Sequence, residues 1–409
     1  MGYKVKKFIM SSGERGCLIL DKKSNLPTYY QNLFLTTDIR NRGATASTME
    51  IVATNLLIFS NFLDGRGIDI IERVELKKYL SVAEIDDLVR YVKQRFDRQK
   101  IINIKSTNYR FIAKRTFSYR IHVFSRYLKW LCGLVHSSKG IHAKYEVDVF
   151  IESIRAHIPR NSSLNMNEIS EKSLNEISEK SLNEEEIKVL FRLLEIGGIE
   201  NPFHKEVQVR NRLIFTLLLN LGLRAGELLN LKIDDFDLRD NTLSVVRRHD
   251  SKEDGRSYQP LVKTGERVIP LSDELAREIF DYISNSREKM TKRKKHNFLF
   301  VAHCTGKNAG EPLSISAYEK VISTLKRASP ELYNLSGHRL RHSWNYMYSK
   351  GIEGAELEYN RRKDLRNYLM GWSKESIMCD RYNYKYISQQ EKDVVLKVYK
   401  SVSKIISGV

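Results

Sequence analysis

The sequence predicts a mainly α-helical protein with a small β-sheet, arranged as two principal domains. Apolar residues recur at helical spacing through most of residues 42–160 and again after residue 184, whereas strand-like alternation is rare and short. A polar, repetitive stretch separates the two helical regions. With 409 residues, of which 41% are hydrophobic, the chain is long enough to build more than one core.

The chain is predicted to begin with extended structure in residues 1–41. Residues 4–10 and 16–20 flank a Ser-Ser-Gly turn signal, which predicts a β-hairpin. Residues 27–37 are expected to add a further strand. The hairpin would then be an appendage that packs on the next domain or a small module of its own.

The first helical domain is expected to span residues 42–160, and a linker follows it. Its first helix is predicted to be capped by Ser47 or Thr48, and its second to start after Ser81. The linker, residues 161–183, carries a duplicated octapeptide, which is low-complexity sequence and too short to build a repeat fold. The predicted helices of this domain are 48–63, 80–96, 116–132 and 145–158.

The second domain is predicted to span residues 184–386, with a final amphipathic segment in 387–409. Its first helix is expected to be entered through the capping sequence Ser181-Leu-Asn-Glu184. The predicted helices are 184–195, 207–221, 227–231, 273–290, 316–328, 338–350 and 355–369. The predicted strands are 242–248, 266–271 and 298–302.

Charge and cysteine content narrow the class of protein. The net charge of +19 favours a polyanionic partner, because neutralising phosphates releases condensed counterions. The four cysteines have no metal-binding spacing, so neither a zinc site nor a disulfide framework is expected, and a reducing cytosol is the simplest compartment. We expect no signal peptide, and no apolar run of the ~18 residues that a membrane helix needs.

The residues with the clearest chemistry lie between residues 335 and 384. His338 and Arg341 are one helical turn apart, so both side chains can point at one anion. Trp372 and a cluster of tyrosines follow. Cations for the non-bridging oxygens and a phenol as nucleophile suit a phosphodiester. Upstream, Arg224 in Gly-Leu-Arg-Ala-Gly-Glu would either grip a phosphate or form a structural ion pair with Glu227 or Asp234.

Together these motifs resemble the tyrosine recombinases, the family of phage and transposon integrases and Xer-type recombinases. The resemblance covers about the C-terminal half of the chain and rests on His338-x-x-Arg341, Gly-Leu-Arg224-x-x-Glu227-Leu and a tyrosine after Gly371-Trp372. It implies an N-terminal helical core-binding domain of SAM-like type and a mixed α/β tyrosine-recombinase catalytic domain. The two would clasp double-stranded DNA, with residues 1–41 as a possible accessory DNA-binding segment.

The resemblance also implies roles for individual residues. Arg224 would bind the scissile phosphate, Arg341 would stabilise its pentacoordinate state, and His338 would donate a hydrogen bond or shuttle a proton. Lys263 would protonate the leaving 5′ oxygen, unless it is only a solvated turn lysine. Further roles would be held by Glu227 (orienting an arginine or histidine), His342 (supporting the fold) and Trp372 (donating to a phosphate oxygen, or packing as an aromatic anchor).

The nucleophile would be Tyr382, which lies ten residues after Trp372. That spacing is one residue longer than is common in the family, so Tyr384, and less so Tyr386, are alternatives. Basic residues of the first helical domain, Arg115, Arg120 and Arg126, are predicted to contact DNA.

The implied activity is DNA strand transfer without metal, ATP or other cofactor, through a 3′-phosphotyrosyl intermediate and a Holliday junction. A homotetramer would act on two DNA sites in the cytoplasm, associated with the nucleoid when bound. Residues 387–409 would dock on a neighbouring protomer or pack in cis. The alternatives are a type IB topoisomerase-like nicking and resealing enzyme, and a DNA-binding protein whose catalytic domain has decayed.

Overall fold

The computed structural model describes residues 2–96, 111–136, 141–159, 181–292, 294–352, 358–376 and 378–380 of the chain. The chain divides into two compact units, Met1–Leu164 and Asn165–Val409. Each unit has its own hydrophobic core. Helices dominate both units and the strands are short, so the predicted fold class, mainly α with a small β-sheet, is confirmed.

The first unit opens with the predicted antiparallel hairpin. Lys7 of β1 pairs with Cys17 of β2. Because alternate residues of a strand point to opposite faces, Cys17 and Ile19 are buried together in the core of this unit. The elements are β1 (Tyr3–Ile9), β2 (Arg15–Asp21), α1 (Tyr29–Phe34), α2 (Ala46–Arg66), α3 (Ile70–Glu75), α4 (Val82–Val92), α5 (Lys114–Val135) and α6 (Ile141–Arg155).

The strand predicted at residues 27–37 is wrong. This stretch forms α1 and a π-helix, Leu35–Arg40. The Asn32 side chain exchanges hydrogen bonds with both backbone groups of Ile19, each at 2.8 Å, so a helix occupies the edge of β2 where a further strand would pair. Phe34 is fully buried, and this packing overrides the strand preference of the local sequence.

Helix starts in this unit are set by side-chain caps. The cap of α2 is Thr45, not Ser47 or Thr48, since the Thr45 hydroxyl accepts from the backbone N–H of Thr48 at 3.3 Å. Helix α4 starts after Ser81 as predicted, with a reciprocal capping box between Ser81 and Glu84. The short helix α3 was not predicted.

Helix α2 is long and apolar enough, by length and composition, to cross a membrane, which the sequence analysis did not expect. Half of its most apolar window is buried inside the protein. There Phe59 stacks on Phe124 with ring centroids 5.0 Å apart. The core of the first unit therefore accounts for the apolar character of this helix.

The second unit contains a three-stranded antiparallel sheet in the order β3-β4-β5. Residues 298–302, predicted as a strand, form only isolated bridges, from Phe298 to Lys232 and from Val301 to Pro312. The strands are β3 (Phe236–Asp237), β4 (Thr242–Val245) and β5 (Arg267–Pro270). The helices are α7 (Glu184–Leu193), α8 (Lys205–Leu221), α9 (Ala225–Leu228), α10 (Asp273–Asp281), α11 (Glu288–Thr291), α12 (Ile315–Ala328), α13 (Gly337–Gly351) and α14 (Tyr359–Met370).

Three helices of this unit differ from prediction, and one of them, α9, covers Ala225–Leu228 instead of residues 227–231. Helix α7 is capped by Asn183, not Ser181, because the Asn183 side chain accepts from the backbone N–H of Glu186 at 2.8 Å. The single helix predicted at 273–290 is interrupted by a π-helix, Tyr282–Arg287. The wider turn buries both of its end residues and lets Arg287 donate to the carbonyl oxygens of the following segment.

Candidate active site

Two helix ends meet at a buried arginine, Arg341. Gly222 follows the last residue of α8 and Gly371 follows the last residue of α14, and both glycines are in the left-handed conformation. Arg341, on α13, is only 1% exposed, and its Nη1 and Nη2 donate to the carbonyl oxygens of Gly222 at 2.7 Å and Met370 at 2.8 Å. A cation is stabilised there because helix C-termini carry partial negative charge. Arg341 therefore joins the Gly-Leu-Arg motif to the segment that precedes Trp372.

A buried carboxylate, Glu227, gathers the cations of this region. Its oxygens lie 2.8 Å from Arg267 Nη2, 3.4 Å from Arg224 Nη1 and 4.0 Å from Arg341 Nη1. The hydroxyl of Thr264 donates to it at 2.6 Å. Burial acts to raise the pKa of Glu227, but the charges of Arg267 and Arg341 and the hydrogen bonds from Arg267 and Thr264 together outweigh it, so the pKa lies below its usual value.

Arg224 lies at the open side of this cluster. It precedes α9, and its backbone N–H donates to Glu227 at 3.2 Å. Its side chain remains 34% exposed. The alternative ion-pair partner, Asp234, accepts instead from Asn297 at 3.0 Å. Arg224 therefore contacts Glu227 and still presents part of its guanidinium to solvent.

Lys263 is exposed, whereas the residues on either side of it are buried and held in place. Val262 and Thr264, on either side of it, are 2% and 4% exposed. Thr264 donates to Glu227, and the next residue, Gly265, donates its backbone N–H to Gly371 at 2.9 Å. The lysine thus projects from a segment that is bonded both to the arginine cluster and to the end of α14.

His338 and Arg341 share α13 but differ in environment. His338 is exposed near the start of the helix, whereas Arg341 is buried. The ring of His342 lies perpendicular to that of His338, with centroids 4.3 Å apart, so His342 packs against it. The Arg341 guanidinium lies 5.6 Å from the ring centroid of the half-buried Trp372, a cation–π contact.

The predicted nucleophiles Tyr382, Tyr384 and Tyr386 lie outside the described residues, as do residues 387–409. The described chain ends at Asp380, two residues before Tyr382. Asp380 is held by α14, since it accepts from Tyr359 Oη and from Lys363 Nζ, each at 3.0 Å. The start of the tyrosine segment is therefore attached to the helix that ends beside Arg341.

The three arginines predicted to face DNA lie on α5 in different environments. Arg115 and Arg126 are exposed, and Arg126 forms an ion pair with Asp38 at 2.6 Å. Contrary to the prediction, Arg120 is directed inward. It is 8% exposed and donates to the carbonyl oxygens of Val92 and Gln94, at the end of α4.

Sequence reasoning missed the structural part played by Arg267 and Thr264. Neither residue was assigned a role from the sequence. A signal was present, because Arg267 falls on an inward-facing position of the alternating Arg-Val-Ile-Pro strand. A charged residue at such a position requires a buried partner, and here that partner is Glu227. Among the described residues, no cluster of His, Cys, Asp and Glu could hold a metal ion.

Comparison with known proteins defines the class of protein that this fold and site represent. Residues 180–386 match the model of the phage integrase family, which is half of the chain. The chain belongs to this family, which confirms the resemblance drawn from the sequence motifs.

The curated relatives are Xer-type tyrosine recombinases. Tyrosine recombinase XerD of Halalkalibacterium halodurans is 29% identical over 136 residues, 33% of this chain and 39% of the relative. Tyrosine recombinase XerH of Campylobacter jejuni is 28% identical over 171 residues, 42% of this chain and 39% of the relative. The chain thus matches about two fifths of the length of these relatives.

Solved structures with a similar fold include the integrase of the Tn1549 transposon in complex with transposon right end DNA. It is 16% identical, with a TM-score of 0.47, over 90% of this chain and all of that one. The XerH recombinase bound to its difH substrate is 14% identical, with a TM-score of 0.36, over 75% of this chain and 83% of that one.

Proposed function

We propose that this chain is a site-specific DNA recombinase, or integrase, that cleaves and rejoins double-stranded DNA. The observation that carries the proposal is the convergence of Arg224, Arg267 and Arg341 on Glu227, within the segment that matches the integrase family. The ionised carboxylate orients the guanidiniums, one of which is partly exposed. Guanidiniums held in this way are suited to bind a phosphodiester in a fixed position. The net charge of +19 supports DNA as the partner.

In the proposed reaction the phenol oxygen of Tyr382 attacks the scissile phosphorus. The phenol proton passes to His338, which is exposed near the start of α13. Arg224 and Arg341 stabilise the charge of the pentacoordinate state. The bond from phosphorus to the 5′ oxygen breaks, and that oxygen takes a proton from Lys263. A 3′-phosphotyrosyl link and a free 5′ hydroxyl result, without metal or ATP.

Strand exchange follows when a 5′ hydroxyl from a second duplex attacks the phosphotyrosyl link. Two such exchanges, through a Holliday junction, recombine two sites, and four protomers act together in the cytoplasm. Residues 387–409 would link protomers by docking on a neighbour. Comparing assembly on DNA by residues 1–386 with that of the full chain tests the docking, because unchanged assembly would place the segment in cis.

The activity is tested with a nicked suicide duplex and, in parallel, supercoiled DNA. A covalent adduct is expected, and it should be lost in Tyr382→Phe and kept in the matched control Tyr384→Phe. The reverse result would move the nucleophile to Tyr384. Relaxation of supercoiled DNA without exchange would favour the topoisomerase alternative, and binding without any adduct would favour a decayed enzyme.

A further inference from the structure

Arg267 has contacts that a residue serving only the β-sheet would not need. Its side chain is fully buried, and Nη2 pairs with Glu227 at 2.8 Å. Nε donates to the carbonyl oxygen of Leu369, near the end of α14, at 2.7 Å. Nη1 lies 3.2 Å from the hydroxyl of Thr264 and 3.4 Å from the carbonyl oxygen of Gly265. One guanidinium therefore bonds to three separate parts of the site.

These contacts converge on the segment that carries Lys263. Gly265 donates its N–H to Gly371, and the Arg247 guanidinium donates to the Thr264 carbonyl oxygen. At the other end, the Leu261 carbonyl oxygen lies so close to Gly226 that a Cβ added there would be 2.5 Å from it. The backbone is thus held before and after Lys263, and the exposed lysine side chain has a fixed origin.

We propose that Arg267 is a positioning residue that fixes Lys263 relative to the scissile phosphate. The inference rests on the proposed function and deepens it, because it assigns the placement of the proton donor for the leaving group. Arginine suits this task because its planar fork presents donors in several directions at once. A lysine would keep the charge opposite Glu227 but could not also reach Leu369, Thr264 and Gly265.

The step that Arg267 would affect is the transfer of one proton from Lys263 to the leaving oxygen. When the P–O5′ bond breaks, its electron pair goes to O5′, and the alkoxide takes a proton from the Lys263 ammonium. If sulfur replaces that bridging oxygen, the leaving group is a thiolate. A thiol has a pKa of about 8.5, far below that of an alcohol, so a thiolate departs without a proton donor. The sulfur substrate therefore reports attack and phosphate binding while bypassing Lys263.

The experiment compares single-turnover adduct formation on matched suicide duplexes with 5′-bridging oxygen or sulfur. In Arg267→Lys we expect a loss of about 10- to 100-fold on the oxygen substrate, since a displacement of about 1 Å can cost that much. On the sulfur substrate the rate should return to near wild type. Lys263→Ala should behave in the same way, whereas Arg224→Lys should be impaired on both substrates.

Two further variants keep the test decisive. Thr264→Val removes the hydroxyl that joins the segment to Glu227 while leaving Arg267 in place, so it should show a smaller loss with the same sulfur rescue. Arg256→Lys is the matched control, because Arg256 is also buried and also binds a carboxylate, that of Asp254, and two backbone carbonyls. Any loss in the control should be equal on the two substrates.

Equal losses for Arg267→Lys and Thr264→Val on both substrates, or no loss on either, would overturn the positioning role. If Arg267→Lys fails to fold by circular dichroism, Thr264→Val alone decides. Failure of the proposed function is a different result, because wild type would then form no adduct with either substrate.

Discussion

Replacing Gly371 by alanine is expected to destabilise the second unit by more than the strain of a left-handed residue. Gly371 has φ +63° at the end of α14. A Cβ added there would lie 2.8 Å from Cβ of Thr264, and 2.9 Å from both Arg267 Nη1 and the Gly265 carbonyl oxygen. All three atoms belong to residues 264–267, which are held by hydrogen bonds to Glu227 and Gly371, so none of them can move aside freely.

Two effects contribute to the loss in the free energy of unfolding. An L-residue in the left-handed conformation costs about 1–2 kcal/mol. Forcing a packed segment to shift costs a further 1–3 kcal/mol, roughly, as in other overpacked interiors. The free energy of unfolding of the second unit should therefore fall by about 2–5 kcal/mol.

Urea unfolding followed by circular dichroism and tryptophan fluorescence measures this loss. The matched control is Gly197→Ala in the same unit, because Gly197 has φ +76° and an added Cβ would meet nothing within 4 Å. The control should lose only about 1–2 kcal/mol. If Gly371→Ala loses no more than Gly197→Ala, the close approach of the Thr264–Gly265 segment to α14 is refuted.

Four further predictions concern other parts of the chain. Arg115→Ala should weaken DNA binding and reduce the salt dependence of the binding constant by about one ion. Arg120→Ala should instead lower the free energy of unfolding in urea by about 1–3 kcal/mol, because it leaves buried carbonyl oxygens unpaired. Asp380→Asn should change stability by less than about 1 kcal/mol, since its ion pair is partly exposed, yet it should slow adduct formation, and a normal rate would show that this anchor is dispensable. Burial lowers the pKa of His303 to about 4, while an unfolded histidine titrates near about 6.5, so the unfolded state binds the extra proton. Stability should therefore be retained above about pH 6.5 and fall by roughly 3 kcal/mol towards pH 4, and His303→Gln should flatten this slope in urea titrations.

Local signals in the sequence predicted the elements that depend on local contacts. The N-terminal hairpin and the start of α4 at Ser81 followed from turn and capping residues. Residues 27–37 were mistaken for a strand because the contact that decides their structure, between Asn32 and Ile19, is tertiary. The π-helix at Tyr282–Arg287 has the same origin, since Arg287 bonds to a segment that follows it in the chain.

The sequence predicted those residues of the candidate site that belong to recognisable motifs. The sequence singled out Arg224, Glu227 and Arg341. In the structure both arginines lie within 4.0 Å of the Glu227 carboxylate. It did not indicate that Arg267 would contact the same carboxylate, because β-strand pairing places that residue there. Nor did it separate the inward-facing Arg120 from its exposed neighbour Arg115, because helical periodicity does not show which carbonyls a guanidinium can reach.

The double attachment of Arg341 has a consequence for how inactive variants are interpreted. The same guanidinium that would serve the phosphate also ties the turn at Gly222 to the last residue of α14. A genetic screen for loss of recombination would thus recover substitutions at this codon whether the chemistry or the architecture had failed. Only purified protein, with its folded fraction measured beside its turnover, can separate the two causes.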